Sequence, residues 1–159
     1  MIRKLDGGIR FCIDYRKLNA VTVKDSYPMP LIDDILVVLS GATLFSTMDI
    51  ASGYWNMPIQ ENSASKTAFT CKYGLYEGMV MPFGLCNAVP VFERLMETVL
   101  VDLKWMTCLV FLEDCVIFSK DFPSHLVHVR QVLTRFQSAG FKLKMSVTEV
   151  LVRWRSLAI

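Results

Sequence analysis

The chain has 159 residues, a net charge of +2, 53% apolar and 20% charged side chains; this length buries one core, leaves too little for a second, and the composition excludes a disordered or low-complexity chain. Five cysteines (Cys12, Cys71, Cys86, Cys108 and Cys115) without Cys-x-x-Cys spacing exclude a zinc ribbon and a disulfide framework, so they are expected reduced and mostly buried. The longest apolar run, Trp105 to Leu112, is too short to span a bilayer and Met1 to Asp6 is no signal region, which predicts a soluble intracellular protein with no membrane partner.

In chain order, Arg10 to Asp14 reads as a short strand, followed by polar residues to Asn19 and a loop in which Pro28 and Pro30 exclude a helix. Leu31, Ile32, Ile35, Leu36 and Leu39 have helical spacing, with Gly41 as the stop. A strand follows from Thr43 to Ile50, then a hairpin, Thr67 to Cys71 with Leu75 to Val80, around Lys72-Tyr73-Gly74. Asn87 should cap a helix with Val91, Phe92, Leu95, Met96 and Val99 on one face. Met106 to Leu112 and Cys115 to Phe118 flank only Glu113-Asp114, which predicts a tight hairpin with two acids at its tip. Ser124 should cap a helix with Leu126, Val129, Leu133 and Phe136 on its inner face, stopped by Gly140, and a strand from Phe141 to Met145 closes the pattern. This order of elements predicts an α+β fold, an antiparallel sheet with helices on one face.

Charge is uneven along the chain. Residues 1–30 carry six Lys/Arg against three acids, and residues 31–119 carry four against ten. Taken alone, such asymmetry is ordinary surface charge; it gains meaning only if the acids converge. If the 43–50 strand neighbours the 112–115 turn, Asp49, Glu113 and Asp114 form one cluster. Converging carboxylates repel unless a divalent cation lies between them, and oxygen-only ligation suits magnesium. The corresponding chemistry is phosphoryl or nucleotidyl transfer. On those features alone, acids that simply form a tight turn remain the alternative. His125 and His128, at i, i+3 without a third ligand, read as solvent-facing, and Trp55, Trp105 and the methionines read as core.

Four segments in order, Phe11-Cys12-Ile13-Asp14-Tyr15-Arg16-Lys17-Leu18-Asn19, Tyr27-Pro28-Met29-Pro30, Phe45-Ser46-Thr47-Met48-Asp49-Ile50-Ala51-Ser52-Gly53-Tyr54-Trp55 and Met81-Pro82-Phe83-Gly84-Leu85, resemble successive motifs of the reverse transcriptases of Ty3/gypsy-type retrotransposon Pol polyproteins. The resemblance runs from about Arg3 to Lys144. It implies a single partial reverse transcriptase domain over 1–159: a basic fingers segment at 1–30, a polymerase palm over 31–145 with a fingers hairpin near 66–80, and a diverged tail at 146–159 with the thumb absent. It implies an RNA-directed DNA polymerase that adds deoxynucleotides to a primed RNA or DNA template with two Mg2+ ions, Mn2+ being a possible substitute. Asp49, Glu113 and Asp114 then match the catalytic metal ligands and Tyr54 the steric gate. Lys4 and Arg10 match the triphosphate grip, while Phe83 and Gly84 match the motif against the nascent base pair. A cytoplasmic element particle or the nucleus would be its place.

The chain departs from the family pattern at several positions. Glu113 stands where the family has aspartate, Glu93 where it generally has glutamine, and Val147 where it has a lysine. Pro90 follows Asn87-Ala88-Val89 instead of the usual Asn-Ala. Phe-Leu-Gly-His is lost after residue 149, and no thumb or ribonuclease H region follows. These departures support an impaired polymerase. The alternative is a catalytically silent remnant or a domesticated nucleic-acid or protein-binding module.

Overall fold

The computed structural model describes residues 2–3, 7, 9–10, 12–50, 53–141, 143–144 and 151–152, with the main chain alone at 2–3, 9–10, 144 and 151–152. In order, the elements are β1 (Ile2–Arg3), β2 (Ile9–Arg10), α1 (Arg16–Val21), α2 (Ile32–Leu39), β3 (Leu44–Ile50), a 3₁₀ turn at Gly53–Asn56, α3 (Glu61–Ala64), a second 3₁₀ turn at Ser65–Thr67, β4 (Phe69–Cys71), β5 (Gly74–Tyr76), α4 (Ala88–Val99), β6 (Cys108–Phe111), β7 (Asp114–Ser119), α5 (Phe122–Ser138), β8 (Leu143–Lys144) and β9 (Leu151–Val152). They fall into two units, Met1–Ser26 with Tyr54–Val91 and Tyr27–Gly53 with Phe92–Ile159.

The second unit is built on an antiparallel sheet. β3 lies between β7 and the short strands β8 and β9, and β6 pairs the outer edge of β7. Because side chains alternate along a strand, register decides which residues share a face. Phe45 pairs with Phe118, Thr47 with Val116 and Asp49 with Asp114, which places these six on one face. Phe45, Leu109 and Phe118 form a buried cluster against Ile35, Val38 and Leu39 of α2. The other face carries Ser46, Met48, Cys115, Ile117 and Ser119, where His125 of α5 docks by hydrogen bonds to Ser46 and Ser119. Val132 and Phe136 of α5 and Phe92 and Met96 of α4 have no exposed surface. Burial of one such side chain contributes ~1.5–3 kcal/mol before chain entropy is charged against it.

In the first unit, side chains satisfy irregular backbone beside buried Tyr15, Tyr54 and Met57. The Tyr15 hydroxyl donates to the Thr67 carbonyl at 3.1 Å, and Thr67 Oγ1 accepts from the Gly78 amide at 2.8 Å. Asn19 Nδ2 donates to the Gly84 carbonyl at 2.7 Å while its Oδ1 accepts from the Cys86 amide at 2.9 Å. Asn87 Nδ2 donates to the Val23 carbonyl at 2.9 Å and its Oδ1 accepts from the Asp25 amide at 3.0 Å. Gly84 has φ +96°, a conformation that favours glycine.

The α+β reading and the antiparallel sheet hold, and α2 covers the Phe45 end of the face opposite α5. Strand β3 and the 67–80 hairpin appear where expected, but the hairpin pairs only Phe69–Cys71 with Gly74–Tyr76, and Val80 bridges Pro58 instead. Several local expectations are corrected. Residues 16–21 form a helix, not polar coil, and 12–14 are not in a strand. Asp121, not Ser124, caps α5: its carboxylate accepts from the Ser124 amide at 2.9 Å. His125 occupies the inner face of that helix, whereas Leu126 is 54% exposed. Leu31, Ile32 and Leu36 are exposed, so the apolar spacing of α2 overstates its buried face. Trp55, Trp105, Met79 and Met106 are exposed, not core. Among the cysteines, Cys108 and Cys115 are buried, Cys71 and Cys86 half-buried and Cys12 exposed. Among the described residues, no helix is long and apolar enough to cross a membrane.

Candidate active site

Asp49 is the penultimate residue of β3 and Asp114 the first of β7, and their Cα atoms are direct partners in the antiparallel ladder. Both are exposed. Phe111 pairs with Asp114, which makes Leu112-Glu113 the two-residue turn and sets Asp114 at the strand start rather than at the tip. The Ile50 amide donates to the Glu113 carbonyl at 2.9 Å, tying this turn to the end of β3. The three acids expected to converge are therefore on adjoining backbone. Their side chains are not equivalent: Asp49 and Asp114 share a face, while Glu113 is half-buried, its Oε1 3.4 Å from where a Cβ on Gly53 would lie.

Behind the turn lies a polar network that the sequence reading did not identify. Glu93 of α4 is fully buried, and its Oε1 accepts from the Leu112 amide at 3.2 Å. Leu112 has φ +57°, the left-handed region that a leucine holds only when its surroundings fix it. The other oxygen, Oε2, is 3.7 Å from Lys104 Nζ, which also donates to Glu97 Oε1 at 2.9 Å. Glu97 Oε2 accepts from the Tyr27 hydroxyl, and the Arg94 guanidinium lies 4.8 Å from the centre of the Tyr27 ring. Burial raises the Glu93 carboxyl above its ordinary value, and Lys104 opposes that rise. The hydrogen bond from Tyr27, then that from Lys104, lowers Glu97. The available sequence signal was a glutamate beside Phe92 in an apolar helical pattern, a position that demands a partner.

The other expected site residues belong to the first unit. Tyr54 is 8% exposed and meets Phe83 edge-on with ring centres 5.4 Å apart; Trp55 lies 6.1 Å from the same ring. Gly84 follows at the positive φ given above. Arg10 is described only as a backbone partner of Ile2, and Lys4 and Val147 lie outside the described residues. His125 and His128 are not solvent-facing: His125 is 2% exposed between two serines, and Nδ1 of the half-buried His128 bonds to the Phe118 carbonyl at 2.8 Å.

The carboxylates of Asp49, Glu113 and Asp114 offer oxygen donors, and among the described residues no three His, Cys, Asp or Glu side chains are grouped to cage a metal. That donor set suits magnesium, which binds through one or two carboxylates plus substrate phosphates rather than through an all-protein cage.

Comparisons with known proteins agree with this architecture. The family model described as reverse transcriptase (RNA-dependent DNA polymerase) matches residues 2–156. The retrovirus-related Pol polyprotein from transposon 297 of Drosophila melanogaster is 44% identical over 89% of this chain, and that from transposon gypsy of the same organism is 38% identical over 87%. This chain spans only 13% of the length of either. The foamy viral protease-reverse transcriptase dRH in complex with double-stranded DNA superimposes with TM-score 0.85 at 24% identity, over 94% of this chain and 26% of that one. The foamy viral enzyme in complex with an RNA/DNA hybrid gives TM-score 0.78 at 23% identity, over 87% and 19%. A sheet that aligns Asp49 with Asp114, the palm-like α+β fold and a family match over nearly the whole chain lead to one assignment: the chain belongs to the reverse transcriptase family, as a domain of the retrotransposon Pol type.

Proposed function

We propose that this chain is the fingers-and-palm part of an RNA-directed DNA polymerase, acting within a longer polyprotein that supplies the thumb and ribonuclease H regions. The observation that carries the reading is the ladder pairing of Asp49 with Asp114, with the Glu113 turn tied to Ile50. Asp49 and Glu113, supported by Asp114, would hold two Mg2+ ions delivered with the deoxynucleoside triphosphate. When bound, such ions stabilise the charge that develops on the attacking and leaving oxygens. This chain's residues position and screen. Lys4 and Arg10 would grip the triphosphate. Tyr54, braced by Phe83, would exclude a 2′-hydroxyl, and Gly84 would let backbone approach the nascent base pair. The nucleic acids held by the foamy viral relatives support a primed RNA or DNA template as partner. The cell interior, in an element particle or the nucleus, is the proposed location.

A second reading, a catalytically silent remnant, is favoured by Glu113, whose longer side chain reaches toward Gly53 while Asp49 and Asp114 share a face. Primer extension with Mg2+ and with Mn2+, in a fusion that restores an intact thumb, separates the two. Extension that disappears in Asp49→Asn supports the polymerase. Absence of extension with either ion, alongside a folded protein, selects the remnant.

A further inference from the structure

We propose that Glu93 and Lys104 form a positioning device for the acidic site: ionised Glu93 holds the Leu112 amide, and through it the Glu113–Asp114 segment, while Lys104 supplies the counter-charge that lets this buried carboxylate stay ionised. Glu93 has no exposed surface, and a charge taken wholly out of water persists only with a partner and hydrogen bonds. Both are present, on different oxygens: the Leu112 amide at 3.2 Å from Oε1 and Lys104 Nζ at 3.7 Å from Oε2.

Local chain geometry delivers Lys104 to this place. Asp102 and Trp105, on either side of it, both have left-handed backbone (φ +67° and +72°), and the Trp105 amide bonds to the Cys108 carbonyl at 2.9 Å. The connection between α4 and β6 is thus folded back so that a lysine side chain only 8% exposed lies against the helix. Its second acceptor, Glu97, is half exposed and bonded to Tyr27, so the network runs from solvent to the turn. A neutral amide at position 93 could accept the same bond from Leu112 without any counter-charge. The carboxylate is what makes Lys104 necessary, and this difference separates a charge-dependent positioning pair from mere packing.

The effect on nucleotide binding rests on the polymerase reading; the effect on the turn does not. The test uses the 159-residue chain and three variants: Lys104→Met, Glu93→Gln with Lys104→Met, and Glu93→Leu with Lys104→Met. Hydrogen exchange of the Leu112 amide is measured by NMR relative to the Ile117 amide, so that a change in global stability cancels. Affinity for Mn2+ with deoxythymidine triphosphate is measured by EPR titration. Lys104→Met and the Leu/Met double variant should accelerate relative Leu112 exchange and weaken Mn2+–nucleotide binding by roughly tenfold or more, the loss expected for a charge-assisted bond. The Gln/Met double variant should restore both to within about twofold, because its amide oxygen still accepts from Leu112. Parent-like protection of Leu112 in the Leu/Met variant overturns the proposal, as does a Gln/Met variant no better than Lys104→Met. If Lys104→Met fails to fold, the two double variants, which bury no charge, decide. A parent chain that does not bind Mn2+–nucleotide sinks the polymerase reading, and amide exchange still decides this one.

Discussion

Ser46 Oγ lies 2.7 Å from Nε2 of His125, and Ser119 Oγ lies 2.9 Å from Nδ1 of the same ring, across two neighbouring strands. Ser119 donates its proton to the Asp121 carbonyl at 3.2 Å, so it accepts from an Nδ1–H, and in the neutral ring that leaves Nε2 to accept from Ser46. The site is built for neutral imidazole. Burial, and secondarily His128, hold the His125 pKa below its ordinary value. The folded protein therefore binds this proton less readily than the unfolded chain. Stability should be full above about pH 6.5, the unfolded value, and should decline as pH falls below it. Urea unfolding as a function of pH checks this, and His125→Leu should flatten the slope while costing ~1–3 kcal/mol for two buried hydroxyls left without the ring. A slope unchanged in that variant would contradict the assignment.

Gly53 is a close-approach position. A Cβ there would stand 2.9 Å from two ring carbons of Phe92, a side chain with no exposed surface, so the ring would have to shift within the core. Gly53→Ala should cost about 1–3 kcal/mol, the usual penalty of overpacking. Thermal unfolding reads this directly; a melting temperature equal to the parent's would show that Phe92 moves freely.

Asp49 and Asp114 set two like charges directly opposite one another, which weakens a strand pair. Asp49→Asn should therefore stabilise the isolated chain by roughly 0.2–1 kcal/mol while abolishing primer extension in the thumb-restored fusion. Chemical denaturation and extension assays measure the two halves. A variant that loses both stability and activity would mean that Asp49 serves the fold.

Restoring aspartate at Glu113 tests whether its extra methylene impairs the site. A carboxylate displaced by about 1 Å costs on the order of 100-fold in a positioned active site. Glu113→Asp should raise the extension rate by about that factor in the same fusion. Equal and substantial rates for parent and variant would identify glutamate as a working ligand.

The sequence made the sheet and its acidic corner legible for physical reasons. Residues 44–50 and 114–119 are segments of strand length rich in apolar residues, and only two residues separate β6 from β7, so pairing β3 with β7 was sufficient to bring Asp49 to Asp114. Elements without an apolar face were not legible. Helix α1 buries no residue, and its order is visible only in contacts such as that of Asn19 with Gly84. His125 was misread because a polar ring on an apolar face looks solvent-facing until its two serines, one of them 79 residues away in the chain, are brought to it. Glu93 was noticed as a departure from the family pattern, but its partners Leu112 and Lys104 depend on a left-handed turn and a folded-back connection that no periodicity announces.

Asn19 and Asn87 each use both ends of one amide, giving a proton to a carbonyl and taking one from the backbone amide two residues further along the same segment. No charged side chain of that size can do this. Spontaneous loss of ammonia from either residue would leave a carboxylate with no proton to give, aimed at the Gly84 or Val23 carbonyl. Either conversion would therefore remove a contact that holds irregular backbone of the first unit in place.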